Sequence, residues 1–276
     1  MRELWLEDEN GVQWKFNDIR NSIATNLSNL GIEITNTYFE YDNSYARATK
    51  KMPMMKPTFN IVFFKGYQGY QDFIKFAYRA ESLKLFYKSV DTKYCYVDLE
   101  QISKTELVAN NALNCQIVFN RKSMWMKEFL IAISTEVTSE GKSYEYTYDY
   151  RYMDIAGDVI SVTNNGSIPA PLSVEIIGTM NNPSIQIYVD DEIYSELSLN
   201  IVTDNPEAKL QITSDEGNEQ MLLDEGEAKN VYQNQDFTKD SFLFLPVGSS
   251  KIIISPGTIS GTHKFNLTFH ELYGGN

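Results

Sequence analysis

Side chains that could carry out acid–base or nucleophilic chemistry are few in this chain, which has two histidines among 276 residues. His263 and His270 both lie in the last strand-like region, which leaves little material for a His-based triad or a transition-metal site. No phosphate-binding loop, nucleophile elbow or zinc-protease motif occurs. Asp190, Asp191 and Glu192 resemble a glycosidase acid pair, but one strand end rarely holds two carboxylates across a substrate. The sequence therefore predicts a protein that is not an enzyme and has no cofactor or metal.

Charge is distributed unevenly along the chain. Residues 1–135 hold 17 Lys and Arg against 15 Asp and Glu, whereas residues 136–276 hold 7 against 22. Because clustered carboxylates repel phosphate backbones and anionic lipid, we do not expect the second half to bind DNA directly. The near-neutral first half can associate with copies of itself without long-range repulsion, while the acidic half keeps the assembly in solution.

No segment has the length or composition of a membrane span or a secretory signal. The apolar run Phe129–Ile133 is far shorter than the ~20 residues needed to cross a bilayer. The first residues are acidic and lack an apolar core with a small-residue cleavage site. Cys95 and Cys115 lie in strand-like runs, where cysteine commonly behaves as a small buried apolar residue. We therefore expect a chain that folds in a cytoplasm, with no membrane insertion and no disulfide framework.

The spacing of apolar residues divides the chain into two predicted domains. Over Tyr70–Ala80 it predicts an amphipathic helix, with Tyr78 among the core-facing residues. Strand-like runs surround this helix, so we expect residues 1–135 to form a β-rich domain with one prominent helix. The small and polar segment Thr135–Lys142 predicts a linker.

Residues 136–276 contain many short strand-like runs separated by turn residues, which is typical of a β-sandwich. From Tyr144 to Tyr152, tyrosines alternate with polar residues, which places them on one face of a predicted strand. An aromatic face of this kind is more often a packed sheet surface than a binding site.

Several of these patterns together resemble one known family. The segment Asn164–Ile187 (NNGSIPAPLSVEIIGTMNNPSIQI), with Phe244–Ser249 before the strand KIIIS, resembles the C-terminal part of the distal tail proteins (Dit) of siphophages. In the first half, YQDFIKFAYR, LKLFYK, KYCYVDLE, ISKTEL and LNCQIVFNRKSMWMKE resemble the ring-forming domain of that family, in the same order. The second domain would then be a galectin-like or carbohydrate-binding-module-like β-sandwich, whose last strand returns to the first domain or stays in the second.

The resemblance implies a structural virion protein. Six copies would form a ring at the distal tip of a long non-contractile tail, with DNA passing through its channel. The partners would be the major tail tube protein, the tape measure protein, the tail-associated lysin and the receptor-binding proteins. The protein would be assembled in the cytoplasm of the bacterial host and take part in host adsorption.

The polar segment from Glu40 to Pro57, with basic residues at its centre and two prolines, predicts a protruding loop. In the resembled family a hairpin arm at about this position reaches from one subunit to the next. The resemblance therefore makes six residues candidates for inter-subunit contacts: Arg47, Lys50, Lys51, Met52, Met54 and Met55. An ordinary mobile surface loop is the alternative.

A second function remains open from the sequence. A β-sandwich with exposed aromatic residues is a common way to stack sugar rings, so the second domain could be a non-catalytic carbohydrate-binding module for attachment to the host cell wall. The candidates for such a site are Tyr188, Tyr194 and Tyr232.

Overall fold

A computed structural model describes residues 2–137, 158–257 and 261–275. Strands dominate these residues, and the chain separates into two compact units. Unit 1 comprises Met1–Lys127 and Tyr273–Asn276, and unit 2 comprises Glu128–Leu272. Among the described residues, no helix combines the length and the apolar character that crossing a membrane requires.

Unit 1 is built from ten strands, one helix and the start of an eleventh strand. Their bounds are β1 Glu3–Asp8, β2 Gln13–Lys15, β3 Asn17–Asp18, β4 Ser22–Ser28, β5 Thr35–Tyr41, β6 Ser44–Lys51, β7 Thr58–Phe63, α1 Gly66–Arg79, β8 Leu83–Lys88, β9 Thr92–Val108, β10 Ala112–Arg121 and β11 Trp125–Val137. A short 3-10 turn at Ala109–Asn111 joins β9 to β10.

The main sheet of unit 1 is antiparallel, in the order β2-β1-β8-β9-β10-β7-β4-β3. Two register shifts between β9 and β10 mark β-bulges, which bend a strand and increase its twist. Alternate residues of β1, β7, β8 and β10 point to one core that is rich in aromatic rings, including Phe16, Phe59, Phe63, Phe73 and Trp125. This core is the surface against which helix α1 packs.

Helix α1 buries the face that the apolar spacing predicts, except at its end. Phe73 and Ala77 are buried, and Tyr70 and Ile74 pack against the core. Tyr78 instead is 89% exposed, so its predicted core position is wrong. Each helical residue turns by about 100°, and Tyr78 therefore lies about 100° around the axis from the buried Ala77.

Unit 2 contains the rest of β11 and the strands that follow. Their bounds are β12 Asp158–Asn164, β13 Ala170–Ile177, β14 Met180–Asn181, β15 Ser184–Val189, β16 Glu192–Ser198, β17 Val202–Thr203, β18 Lys209–Thr213, β19 Gln220–Asp224, β20 Ala228–Asn230, β21 Phe244–Leu245, β22 Gly248–Ser255 and β23 Gly261–Tyr273, whose last residue belongs to unit 1. A 3-10 turn covers Tyr232–Asn234.

Two sheets enclose the core of unit 2. One runs β20-β19-β18-β13-β23-β11, and the other runs β12-β22-β15-β16. Alternate residues of both sheets contribute to a single aliphatic cluster, which includes Val174, Ile187, Leu210, Ile252 and Leu267. Two sheets that share one core make a β-sandwich.

The mainly β fold with one α-helix in the first part is confirmed for the described residues. The domain limits of 1–135 and 136–276, and the likeness of the second domain to galectins or carbohydrate-binding modules, stay predictions. The tyrosines from Tyr144 to Tyr152 and most of the predicted linker lie outside the described residues. Both cysteines are free and buried, and Cys115 on β10 lies opposite Lys104 of β9 rather than opposite Cys95.

Candidate functional site: an exposed aromatic hairpin

The segment predicted as a protruding loop contains a β-hairpin, which we call the arm and define as Thr35–Lys51. Strands β5 and β6 pair with one another and form a two-stranded sheet of their own. Asp42 begins the connection with a φ of 49°, a left-handed conformation that Asp and Asn adopt more readily than most residues. Every residue of β6 is exposed, and so are nearly all residues of β5. An isolated two-stranded hairpin is only marginally stable in water, so the arm needs further support.

The two faces of the arm differ in chemistry. Residues directly opposite each other in an antiparallel pair lie on the same face. Phe39 opposes Ala46 and Tyr41 opposes Ser44, so one face is aromatic and uncharged near the turn, whereas Lys51 opposes Thr35 on the same face at the base of the arm. The other face carries three opposed pairs with one charge each, which are Asn36 with Lys50, Tyr38 with Arg47, and Glu40 with Tyr45.

The exposure of the four aromatic rings is unusually high for side chains of this size. Tyr38 is 56% exposed, Phe39 69%, Tyr41 73% and Tyr45 70%. Large exposed apolar surfaces on folded proteins commonly mark interaction sites, and both faces of the arm contribute aromatic rings to such a surface. The arm thus has the composition of a surface that a partner covers.

The structure places the six predicted arm residues in two groups. Arg47, Lys50 and Lys51 are exposed on β6. Met52 and Met54, which follow the strand, are 40% and 57% exposed. Met55 is only 8% exposed, and its carbonyl accepts a hydrogen bond of 3.0 Å from the Arg121 amide. The contacts proposed below therefore rest on the other five residues.

Sequence reasoning missed the aromatic residues Tyr38, Phe39, Tyr41 and Tyr45. The signal was present, because β-favouring residues flank the turn at Asp42 and Asn43 on both sides. The prolines at 53 and 57 follow the hairpin rather than interrupt it.

The three predicted sugar-binding tyrosines lie on three elements of unit 2. Tyr188 is on β15, where its hydroxyl donates a hydrogen bond of 3.0 Å to the Gln186 side chain. Tyr194 is on β16 and is half exposed. Tyr232 is in the 3-10 turn outside that sheet, with its ring 5.9 Å from Phe242 and 6.0 Å from the exposed Phe237.

Ion pairs lie at the surface of the β12-β22-β15-β16 sheet. Lys239 donates to Glu196 on β16 at 2.6 Å, and this hydrogen bond lowers the pKa of the Glu196 carboxyl. Lys251 on β22 donates to Asp191 in the β15–β16 turn, also at 2.6 Å, and lowers its pKa in the same way. These carboxylates are paired and charged at neutral pH, which is unlike a catalytic acid with a raised pKa.

The remaining chemistry of the described residues is sparse. Across residues 2–137, 158–257 and 261–275, no group of three or more His, Cys, Asp or Glu side chains could hold a metal ion. A shallow cavity of about 330 Å³ in unit 1 is lined by polar and charged residues such as Lys15, Asp18, Lys65 and Asp72. Its lining has neither a histidine nor a cysteine to serve as base or nucleophile.

Comparison with known proteins agrees with this geometry. Residues 3–122 match the family model described as the N-terminal domain of distal tail proteins. No curated protein matches the chain.

Two solved structures have the same fold over nearly their whole length. One is the SPP1 Dit protein, described as a paradigm of the hub adsorption apparatus in phages that infect Gram-positive bacteria. It matches with a TM-score of 0.64 and 9% identity, over 97% of this chain and 98% of that one. The other is a chain of the phage P2 baseplate in its activated conformation with Ca, with a TM-score of 0.61, 15% identity and the same coverage.

Distal tail proteins are structural components of phage tails and baseplates, so the resemblance noted in the sequence is confirmed. Residues 3–122 thus belong to the N-terminal domain family of distal tail proteins.

Proposed function

We propose that six copies of this protein form a ring at the distal tip of a long non-contractile phage tail, and that the arm of each copy packs against the next copy. The observation that carries this proposal is the exposed aromatic hairpin of unit 1. The ring joins the tail tube to the baseplate and leaves a channel for DNA.

The energy available from the arm supports this role. Complete burial of one Phe or Tyr side chain contributes about 1.5–3 kcal/mol. Because the arm has four such rings, covering even one face supplies a large share of the free energy of an interface. Arg47, Lys50 and Lys51 add charge for pairing with carboxylates of the neighbouring copy, and Met52 and Met54 add adaptable apolar contacts.

Symmetry explains why such an arm leads to a closed ring. The arm and the surface that receives it are different parts of the chain, so the contact is heterologous. A heterologous contact closes into a ring when its rotation is a whole fraction of a turn, and otherwise forms a filament. A closed ring has a central symmetry axis, which the tail tube on one side and the baseplate on the other can share.

The partners follow from this position in the virion. One face of the ring would meet the major tail tube protein and the end of the tape measure protein. The other face would carry the tail-associated lysin and the receptor-binding proteins. Assembly would take place in the cytoplasm of the bacterial host, and the protein's role would be geometric rather than catalytic.

The arm is tested with the double variant Phe39→Ser/Tyr41→Ser, which removes the two aromatic rings that share one face. We expect the protein concentration at half assembly to rise by at least about tenfold, because each 1.4 kcal/mol lost from an interface corresponds to a factor of ten. Light scattering over a concentration series, with negative-stain images of the large species, measures this.

Tyr78→Ser is the control, since Tyr78 is an aromatic residue of unit 1 outside the arm and is even more exposed than Phe39 and Tyr41. Equal assembly of the double variant and the wild type would contradict the role of the arm. A wild-type chain that stays monomeric at high concentration, both alone and with the tail tube protein, would contradict the ring.

Carbohydrate binding is a second candidate function, and the exposed pair of Tyr232 and Phe237 favours it. A half-exposed aromatic ring supported from behind by Phe242 can stack on a sugar. Under this proposal, Tyr232→Ala abolishes retention of the protein on cell-wall polysaccharide of Gram-positive bacteria without changing assembly.

The substitutions Tyr188→Ala and Tyr194→Ala test whether the surface of β15 and β16 takes part in sugar binding, and Tyr78→Ala is the control. Unchanged retention of all three variants, or no retention of the wild type, would rule out this function.

A further inference from the structure

Arg121, the last residue of β10, is a buried cation whose described partners are all neutral. It is 4% exposed. Its guanidinium donates from Nη1 to the Gly31 carbonyl at 3.3 Å and from Nη2 to the Gly274 carbonyl at 3.3 Å, and Nη2 also lies 3.9 Å from the Met52 sulfur. Burial lowers the pKa of this guanidinium, although arginine side chains are not deprotonated in proteins.

A buried arginine usually pairs with a carboxylate, but the hydrogen-bond acceptors of Arg121 are the backbone carbonyls of Gly31 and Gly274. No Asp or Glu of the described residues forms an ion pair with Arg121. A buried charge is costly unless several groups satisfy its donors. The planar guanidinium can bind separate acceptors at fixed angles, whereas a lysine ammonium is a point charge on a flexible stem. The contacts of Arg121 thus depend on three chain segments staying together.

Two of these segments are the two ends of the arm. Gly31 comes shortly before β5, and Met52 directly follows β6. The backbone amide of Arg121 also binds the Met55 carbonyl, which fixes the chain after the arm a second time. On the other side, Trp125 donates its indole N–H to the Leu30 carbonyl at 2.9 Å.

The third segment is Tyr273–Gly275, at the end of the chain and within unit 1. It approaches the entry to the arm closely. A Cβ atom on Gly274 would lie 2.4 Å from Cδ1 of Ile32, and one on Gly275 would lie 3.1 Å from the Gly31 backbone. The ring of Tyr273 lies under Lys93, whose Nζ is 4.0 Å from the ring centroid. The segment therefore has a defined place beside Gly31 and Ile32.

We infer that Arg121 is a positioning residue that sets the direction of the arm by tying both of its ends to residues 273–275. This inference rests on the proposed function for its purpose, because an arm that must reach a neighbouring copy needs a fixed direction. Within the part of the chain that the structure describes, the strands of the arm pair only with each other. The direction of the arm is therefore set by the contacts at its two ends.

The test measures the direction of the arm within one copy of the full chain. Spin labels are attached through Asn43→Cys in the arm turn and Tyr78→Cys on α1, and the protein is diluted with unlabelled chains. Labelling is selective, because Cys95 and Cys115 are buried. Electron–electron double resonance then gives the distribution of distances between the two labels.

We expect a narrow distribution in the otherwise unchanged protein and a distribution more than twice as broad in Arg121→Met. Arg121→Lys should give an intermediate width. Removal of residues 274–276 should broaden the distribution as Arg121→Met does, and the combination should add little, since both changes remove the same link. Lys122→Met is the matched control, because it removes the adjacent residue's exposed pair with Asp98.

The outcomes separate this inference from the proposed ring. A broad distribution with loss of assembly in Arg121→Met supports both. A broad distribution with normal assembly supports the positioning role and contradicts the role of the arm in the ring. A distribution as narrow as in Lys122→Met overturns the inference, whatever the assembly state. If Arg121→Met does not fold, Arg121→Lys and the truncated chain decide in the same way.

Discussion

Burial determines the chemistry of single residues in this protein more than local sequence does. Cys95 is fully buried on β9, and the loss of hydration raises the pKa of its thiol to about 12. The thiolate is the reactive form of cysteine, so this thiol is inert at neutral pH. The residue serves as a small apolar side chain in the core.

The raised pKa of Cys95 predicts how stability depends on pH. In the unfolded chain the thiol ionises near its ordinary pKa of 9.0, whereas in the folded chain it stays protonated up to about pH 12. Above pH 9 ionisation therefore favours the unfolded state, by at most about 1.4 kcal/mol per pH unit. The stability that the buried, protonated Cys95 thiol contributes is fully present below pH 9 and is lost as the pH rises towards 12.

Denaturant unfolding at pH 8 and pH 10 measures this effect. The wild type should lose more stability over that interval than Cys95→Ala, which has no thiol to ionise at this position. Identical losses would show that the thiol is as accessible to water in the folded chain as in the unfolded one.

At the scale of elements, the corner between β12 and β13 depends on one glycine. A Cβ atom on Gly166 would lie 2.9 Å from both the nitrogen and the oxygen of Leu272 and 2.8 Å from the Asn164 side chain. The Ser167 amide donates to the same Leu272 carbonyl at 2.7 Å, and the Asn165 amide donates to the buried Glu271 at 2.8 Å. The backbone of β23 cannot move away without breaking these bonds.

Gly166→Ala should therefore destabilise unit 2 by about 1–3 kcal/mol, the usual range for overpacking a tight site. Chemical denaturation followed by a spectroscopic probe gives the change in the free energy of unfolding. Gly31→Ala is the comparison, because a Cβ atom there has open space around it. A loss no larger than that of Gly31→Ala would mean that the corner can rearrange.

At this scale, the sequence predicts a helix or strand correctly where its apolar residues recur at a clear period. Helix α1 and the alternating strands of unit 2 bury one face each, so their periodicity is visible in the sequence. The same patterns predict the arm only as a loop, because its aromatic residues lie on both faces and the described residues cover neither face. The buried position of Met55 and the contacts of Arg121 follow from pairings over 66 to 153 residues, and no local pattern contains them.

At the scale of the whole molecule, the division of charge agrees with the division of roles that we propose. Residues 1–135 are nearly neutral in sum, and residues 136–276 have a large excess of carboxylates. Copies that associate through unit 1 pay little electrostatic cost there, while their acidic units repel one another and keep assemblies apart in solution. The family could be recognised from the sequence because the order of its elements is retained, although identity to the matching structures is only 9–15%.

The membership of Tyr273–Asn276 in unit 1 has a consequence for synthesis on the ribosome. All of residues 128–272 are translated after residues 1–127 and before residues 273–276. At ~5–20 residues per second, unit 1 waits roughly 7–30 s for residues 273–276. If that segment anchors the arm as inferred, a chain that has not yet reached residue 273, or that stops before it, presents an arm without a fixed direction, and only chains that include residues 273–275 are fit to enter a tail.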